Sequence, residues 1–420
     1  MNISLPIGFA LLLIAFAVTT FIYPLILKFA LDHQIVDNPN ARKLQRVPVP
    51  VMGGATVVIG VIVAFMAGYL IFHNSMSLIV VAILLVMSGI GIWDDIKDIS
   101  AIFRFLVEIV VVWCMILFLD VEINDFHGLW GIHEIPDMVS VPLSIFAGVG
   151  MINAVNLIDG VDGYCSSYGM LTCASFAIIF FLGDERMYFN LAVIFIGAVL
   201  PFFLHNVFGR TSKMFLGDGG SLALGTLLAL FVFATLDKDS GCAKLAESGI
   251  SLIALTLAIM AVPVFDTLRV MTARILKGKS PFHPDKTHLH HLFIDMEFSH
   301  LSTSFVIVFS NLLIILVNLL VWKLGFSQEV QVYTVIVCSV LYTTVFYYYM
   351  RRQIDNESPM YLRACRVGMN THKTDTGLWH FLRVLVDSPL LGGLPAQTVS
   401  ENEAAAAERH RVKIDPRIRE

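Results

Sequence analysis

The chain has 420 residues, 57% of them hydrophobic and 15% charged, with a formal net charge of −5 and a mean hydropathy of +0.77. Ordinary soluble domains carry about 25% charge, so this composition excludes a soluble globular protein, and no basic stripe interleaved with aromatics points to nucleic acid. Cys114, Cys165, Cys173, Cys242, Cys338 and Cys365 are scattered without a C-x-x-C pair, which suggests neither a disulfide framework nor a zinc site.

Crossing a hydrocarbon core of about 30 Å takes roughly 20 helical residues. Apolar runs of that order recur eleven times, at 3–27, 52–72, 76–93, 102–119, 139–157, 164–182, 187–205, 219–236, 249–268, 303–322 and 330–350. They are uniformly apolar instead of alternating with period two, which predicts helices and not a barrel. The first run lacks a basic n-region and a small-residue cleavage site, and so reads as a retained span. The expected fold class is an all-α polytopic integral membrane protein with about 11 transmembrane helices. The segments 28–51, 94–104, 206–218 and 269–302 hold thirteen Lys and Arg, whereas the alternate segments 73–75, 120–138, 183–186, 237–248 and 323–329 hold four. The positive-inside rule then places the first set in the cytoplasm. The N-terminus is expected outside, and the 351–420 tail cytoplasmic.

Three acidic groups fall on that same face. Asp94, Asp95 and Asp98 follow the third run in "WDDIKD", Asp159 and Asp162 follow the fifth in "NAVNLIDGVDG", and Asp218 precedes the eighth in "FLGDGGSLALG". One interfacial aspartate reads equally well as a helix cap or a loop anchor. Three such clusters are less easily set aside, because ionisable groups at membrane depth are costly and tend to mark function. Carboxylates without thiols suit a hard cation such as Mg²⁺, usually held by one or two carboxylates plus substrate phosphates. Gly160 and Gly163 each follow an aspartate, and Gly217 precedes one at the start of a span. Such turns beside acids read as a phosphate cradle.

The loop "RVMTARILKGKSPFHPDKTHLHHLF" adds Arg269, Arg274, Lys277, Lys279 and Lys286, together with His283, His288, His290 and His291. The histidine spacing matches no zinc pattern. Imidazoles and lysines beside carboxylates suggest phosphoryl chemistry, with a metal neutralising diphosphate charge and histidines stabilising developing charge. Asp266 sits inside the ninth run behind Pro263, where a helix break is expected, and its i+3 neighbour Arg269 is its expected structural partner.

In this order, "WDD", "NAVNLIDGVDG", "FLGDGGSLALG" and "SPFHPDKTHLHHLF" resemble the polyprenyl-phosphate N-acetylhexosamine-1-phosphate transferases, glycosyltransferase family 4, over roughly residues 1–350. "DNPNARKLQRVPVPVMGG" fits the same family. No single motif is specific, but the combination is. The resemblance implies transfer of a sugar 1-phosphate from a UDP-N-acetylhexosamine to undecaprenyl phosphate with release of UMP, on the cytoplasmic face of a bacterial inner membrane. It implies Mg²⁺, replaceable by Mn²⁺. Asp94 and Asp95 match the paired aspartates assigned to the metal and to activating the lipid phosphate, and Asp218 matches the metal-binding aspartate. Asn153, Asn156, Asp159 and Asp162 match the segment meeting the uridine nucleotide and supporting catalysis, and His288, His290 and His291 match the motif contacting the diphosphate. Lys43 and Arg46 align loosely as diphosphate contacts, and Gly217 belongs to the substrate cradle.

His288-Leu289-His290-His291 and "AVPVFDTLRV" resemble the branch that uses UDP-N-acetylglucosamine. Another UDP-amino sugar, or UDP-N-acetylmuramoyl-pentapeptide, stays open as the donor, and a homodimer is left open. Where the family shows a Pro-Ala step this chain has "VFGRTSK", which puts the roles of Asn206 and Lys213 in doubt. The tail beyond 350 has no counterpart, and its stretch "LWHFLRVLV" (378–386) carries one apolar helical stripe suited to the membrane surface or to docking on the cytoplasmic loops. A transporter is the rival from another class. It would place charges deep in the bilayer around an inverted repeat, and no repeat is found.

Overall fold

The computed structural model describes residues 5–37, 48–72, 77–281, 285–372 and 377–388. Because an unpaired backbone N–H or C=O in hydrocarbon costs several kcal/mol, the apolar runs close their hydrogen bonds internally as helices. These are α1 (Leu5–Asp32), α2 (Gly53–Phe72), α3 (Leu78–Lys97), α4 (Ala101–Leu119), α5 (Asp137–Asn156), α6 (Tyr164–Gly183), α7 (Arg186–Phe208) and α8 (Gly217–Leu236). After the single turn α9 (Ala243–Ala246) come α10 (Leu252–Ile259), α11 (Ala261–Leu276), α12 (Leu289–Asp295), α13 (His300–Lys323), α14 (Gln328–Val340) and α15 (Tyr347–Asp355). A π-turn at Leu341–Phe346 joins the last two into one helix over Gln328–Asp355. Among the described residues ten helices are long and apolar enough to cross a membrane, and the bent pair α10 and α11 makes an eleventh. The chain is a multi-pass, all-α membrane protein.

The bent pair turns by 74°. Pro263 has no N–H for the Ile259 carbonyl, so the helix cannot run through it. The freed groups are met by side chains. Ile259 O accepts from Tyr168 Oη at 3.1 Å and Asn311 Nδ2 at 3.0 Å, and the Val262 N–H donates to Asn311 Oδ1 at 2.9 Å. The break falls at Met260, three residues before the proline.

Helix α8 is the axis of the bundle, its apolar length wholly buried against α2, α3, α5, α6 and α10. Lipid gives apolar helices little reason to associate, so packing depends on close backbone approach. A Cβ at Gly54 would stand 2.1 Å from Gly220 N, and one at Gly91 would stand 2.3 Å from Asp218 C. A short ladder of β1 (Val36–Asp37) with β2 (Val49–Pro50), pairing Val36 with Pro50, draws the end of α1 to the start of α2. Phe215 N donates to Pro50 O at 2.8 Å, while Gly53 N donates to Phe215 O at 2.9 Å, so the chain entering α8 is tied to the same place. In the tail, α16 (Pro359–Asn370) packs on α15, and α17 (Gly377–Val386) packs on α7.

Gly91→Ala should destabilise the protein by about 1–3 kcal/mol through overpacking against α8. Gly89→Ala on the same helix, where a Cβ meets nothing within 4 Å, should be neutral or stabilising. Thermal unfolding in detergent reads both, and equal melting temperatures for the two variants would contradict the packing described.

Candidate active site

The ends of α1, α3, α5 and α7 and the starts of α2, α6, α8, α12 and α13 meet around one cavity of about 420 Å³. Its lining holds seven aspartates and three histidines, among them Asp94, Asp95, Asp159, Asp162, Asp218, His290 and His291. The acids that the sequence scatters over 125 residues are therefore one cluster.

Adjacent residues on a helix diverge by about 100°, and Asp94 and Asp95 face different neighbours. Asp95 faces the start of α8, accepting from Asp218 N at 3.1 Å and Gly219 N at 3.3 Å. Gly217, at φ +72°, leaves no room for a Cβ, which would lie 2.6 Å from both Asp95 Oδ2 and Val51 O. Two of the amides that a bare glycine turn would offer to phosphate are thus engaged by the Asp95 carboxylate. Asp94 faces α4, where Arg104 Nη1 lies 2.9 Å from Asp94 Oδ2 and 3.4 Å from Asp218 Oδ2. Asn156 Nδ2 holds the other Asp218 oxygen at 2.7 Å.

Asn153 points elsewhere, donating to Glu108 Oε2 and to Val149 O at 3.0 Å. Glu108, fully buried, lies 3.6 Å from Arg104 Nε. Arg104 and Glu108 sit inside the run 102–119, read from the sequence simply as an apolar span. Two opposite charges one turn apart in such a run were the available signal.

On the far wall, Lys213 Nζ meets Asp162 Oδ2 at 2.6 Å and His300 Nδ1 meets the same oxygen at 2.7 Å. Burial opposes ionisation of Asp162, yet the Lys213 ammonium and the His300 imidazole hold it well below the usual carboxylate range. Burial, followed by the charges of Asp218 and Asp162, pushes Asp159 up to about 8. Asn206 accepts from Gly163 N at 2.7 Å and donates to Met214 O at 2.9 Å, so Asn206 and Lys213, the residues flanking and ending the divergent "VFGRTSK" stretch, both lie against the site. His300, at the start of α13, went unnoticed in the sequence because it stands outside any motif.

His288 does not line the cavity. Its Nδ1 bonds Asp266 Oδ2 at 2.9 Å, while Asp266 also takes Arg269 Nη2 at 2.6 Å and the Leu289 amide at 3.2 Å. Asp266 therefore does more than pair with Arg269, because it anchors the start of α12. From that anchor His290 and His291 reach the cavity, His290 lying under Gly160, whose added Cβ would meet Nε2 at 2.9 Å. Burial, then the neighbouring His291 and His288 rings, holds His290 far below its ordinary value, and burial with His288 and Lys286 lowers His291 to about 4. Both imidazoles are neutral at pH 7 and serve as hydrogen-bonding groups, not as cations. Lys43, Arg46 and His283 lie outside the described residues.

Two carboxylates, Asp94 and Asp218, meet one guanidinium nitrogen, Arg104 Nη1, which stands between them as a cation would, and a third, Glu108, lies 3.6 Å from Arg104 Nε. The donor set, all hard oxygens, fits Mg²⁺. Among the described residues no three His, Cys, Asp or Glu are arranged as a finished metal site, because these oxygens bond Arg104, Asn156 and amides instead.

The model of a family described as "Glycosyl transferase family 4" matches residues 76–236. A probable undecaprenyl-phosphate N-acetylglucosaminyl 1-phosphate transferase of Bacillus subtilis (strain 168) is 29% identical over 308 residues, covering 72% of this chain and 82% of that protein. The undecaprenyl-phosphate alpha-N-acetylglucosaminyl 1-phosphate transferase of Salmonella typhi is 30% identical over 285 residues, covering 66% and 74%, and its namesake in Escherichia coli (strain K12) is 33% identical over 280 residues, covering 63% and 70%. The chain belongs to glycosyl transferase family 4. Within this family member, the matched segment carries α3 to α8 and so Asp94, Asp95, Arg104, Asp159, Lys213 and Asp218. The histidine wall comes from beyond it.

The depressed His291 sets a pH prediction. Its unfolded value is near 6.5 and its folded value about 4, so the unfolded chain binds the proton first. Its contribution is complete above about 6.5 and is lost as pH falls toward 4. His291→Gln should therefore show a smaller drop in melting temperature from pH 7 to pH 5 than the unaltered protein, and an identical drop would refute a buried neutral His291.

Proposed function

We propose that this protein transfers N-acetylglucosamine 1-phosphate from UDP-N-acetylglucosamine to undecaprenyl phosphate, releasing UMP and making a lipid-linked intermediate for a cell-envelope glycan. The observation carrying the reading is a cavity of aspartates and neutral histidines built from the ends of membrane-spanning helices. Such a cavity lies at the depth where a lipid head group and a water-soluble nucleotide sugar can meet. The names of the relatives supply the sugar and the lipid. Thirteen Lys and Arg in the loops on the cavity side, against four on the other, support a cytoplasmic-facing site in the bacterial inner membrane.

In this reading an oxygen of the lipid phosphate attacks the β-phosphorus of the donor. One P–O bond forms, the bond from that phosphorus to the bridging oxygen breaks, and UMP leaves with the electron pair. A single in-line displacement suffices, and its catalysis is chiefly positioning and charge stabilisation. Asp94 and Asp218, with Asn156 orienting Asp218, are the residues that would hold Mg²⁺, which when bound supplies charge neutralisation at the diphosphate. Mn²⁺ offers the same oxygen-preferring chemistry. Arg104, with Glu108 keeping its guanidinium oriented, supplies positive charge beside the phosphates. His290 and His291 donate hydrogen bonds to phosphoryl oxygens as charge develops on them. Asp95, by capping α8, sets the position of Asp218.

Purified protein with undecaprenyl phosphate and Mg²⁺ should release UMP from UDP-N-acetylglucosamine, and not from UDP-N-acetylgalactosamine or UDP-N-acetylmuramoyl-pentapeptide. Release should stop on chelation, return with Mg²⁺ or Mn²⁺, and fall at least a hundredfold in Asp218→Asn, the order expected for loss of a major electrostatic group. UMP release from the pentapeptide donor alone would overturn the choice of sugar. No release from any donor by folded, metal-supplied protein would overturn the reaction.

A further inference from the structure

We propose that Asp387, in the C-terminal tail, is a positioning residue for this reaction: its carboxylate fixes the loop that presents Lys213 to the cavity. The inference rests on the reaction proposed above. Between α7 and α8 the chain 209–216 forms no helix or strand; Gly209 N returns to His205 O and Phe215 N reaches Pro50 O, while the amides of Arg210, Thr211 and Ser212 are met by a side chain. Three successive amides, those of Arg210, Thr211 and Ser212, converge as an anion-binding concavity. Asp387 fills it from 175 residues downstream of Ser212. Its Oδ1 accepts from Arg210 N at 3.1 Å, Thr211 N at 3.1 Å, Ser212 N at 3.0 Å and Ser212 Oγ at 2.9 Å, and its Oδ2 accepts from Arg210 N at 3.0 Å.

Ser212 is thereby held on every side. Its carbonyl accepts from Tyr23 Oη at 2.8 Å, its hydroxyl oxygen lies 2.9 Å from His205 Nδ1, and Tyr23 stacks on His205 at 4.0 Å. The carboxylate itself is delivered by α17, whose Trp379 packs edge-on against Phe208 at 4.6 Å and whose Val386 is buried. Lys213 is the next residue along. On its other side Met214 is held by Asn206, so Asp387 supplies the loop's remaining fixed end. Lys213 pairs with Asp162, which also holds His300, and both Asp162 and His300 line the cavity. Without the tail carboxylate the three amides face one another with no anion, the loop relaxes, and the ammonium leaves its place.

The test is a mutant cycle of Asp387→Ala, Lys213→Ala and the double variant, read by UMP release and by amide hydrogen exchange on the full chain in detergent. Asp387→Ala should lower kcat about tenfold, within the range that a displacement of roughly 1 Å can cost, while KM for UDP-N-acetylglucosamine stays within about twofold. In the Lys213→Ala background the same change should cost less than about twofold, because coupled residues are non-additive. Exchange at 210–213 should quicken in Asp387→Ala. Should that variant not survive purification, Asp387→Asn, which keeps one acceptor oxygen, carries the same cycle with a smaller loss. A full tenfold loss in the Lys213→Ala background, an unaltered kcat, or unaltered exchange at 210–213 would each overturn the proposal. A silent unaltered protein alongside quickened exchange in the variant would indict the reaction and leave the brace standing.

Discussion

The start of α8 imposes the constraint from which the site follows. A helix leaves its first four amides without internal partners and gathers partial positive charge there. Helix α8 begins at the wall of the cavity, and a protein group meets its first amides there. Asp95 takes those of Asp218 and Gly219. The Asp218 side chain, on the same first turn, meets Asn156 and Arg104 instead. The close approach of Gly54 and Gly91 to the same turn then sets it against α3 and α4. Capping, close packing and clustering of acids are one arrangement seen three ways.

Electrostatics explains why this arrangement needs partners beyond itself. Asp94 and Asp218 share one guanidinium, and Asp162 has the Lys213 ammonium and the His300 ring. Asp159 is buried among other carboxylates, and burial first, then the charges of Asp218 and Asp162, raise it to about 8. A cavity so short of positive charge among the described residues suits a divalent cation and a basic or metal-bound ligand better than an anion arriving alone. The neutral histidines complete the contrast, since buried imidazoles side by side disfavour protonation in each other.

Much of this was legible along the chain, and for identifiable reasons. Apolar runs reveal helices because the bilayer admits few other structures, and each of the eleven runs falls on a helix or on the bent pair. The acids were legible because charge at membrane depth is conspicuous. Their division of labour was not, because which way Asp94 and Asp95 face depends on α8 and α4, far away in sequence. Arg104 and Glu108 were lost by reading 102–119 by its average hydropathy, in which two charges vanish among sixteen other residues. Pro263 announced a break, but its place at Met260 was decided by Asn311 and Tyr168, which no local pattern names.

The two cations of the cluster show how differently a membrane protein can hold a charge. Arg104 sits on α4, one turn from Glu108, and the helix itself keeps it near Asp94 and Asp218. Lys213 sits on a loop that cannot hold itself, and its neighbours are fixed by α1, α7 and the tail in turn. Local regularity secures the first, and contacts between distant segments secure the second. A change in sequence far from the cavity can therefore reach Lys213 without touching any residue that meets the substrates, whereas Arg104 is exposed only to changes on its own helix and its immediate acids. That asymmetry places the adjustable side of the site at the Asp162 wall, where the loop entering α8, the start of α13 and the C-terminal tail converge.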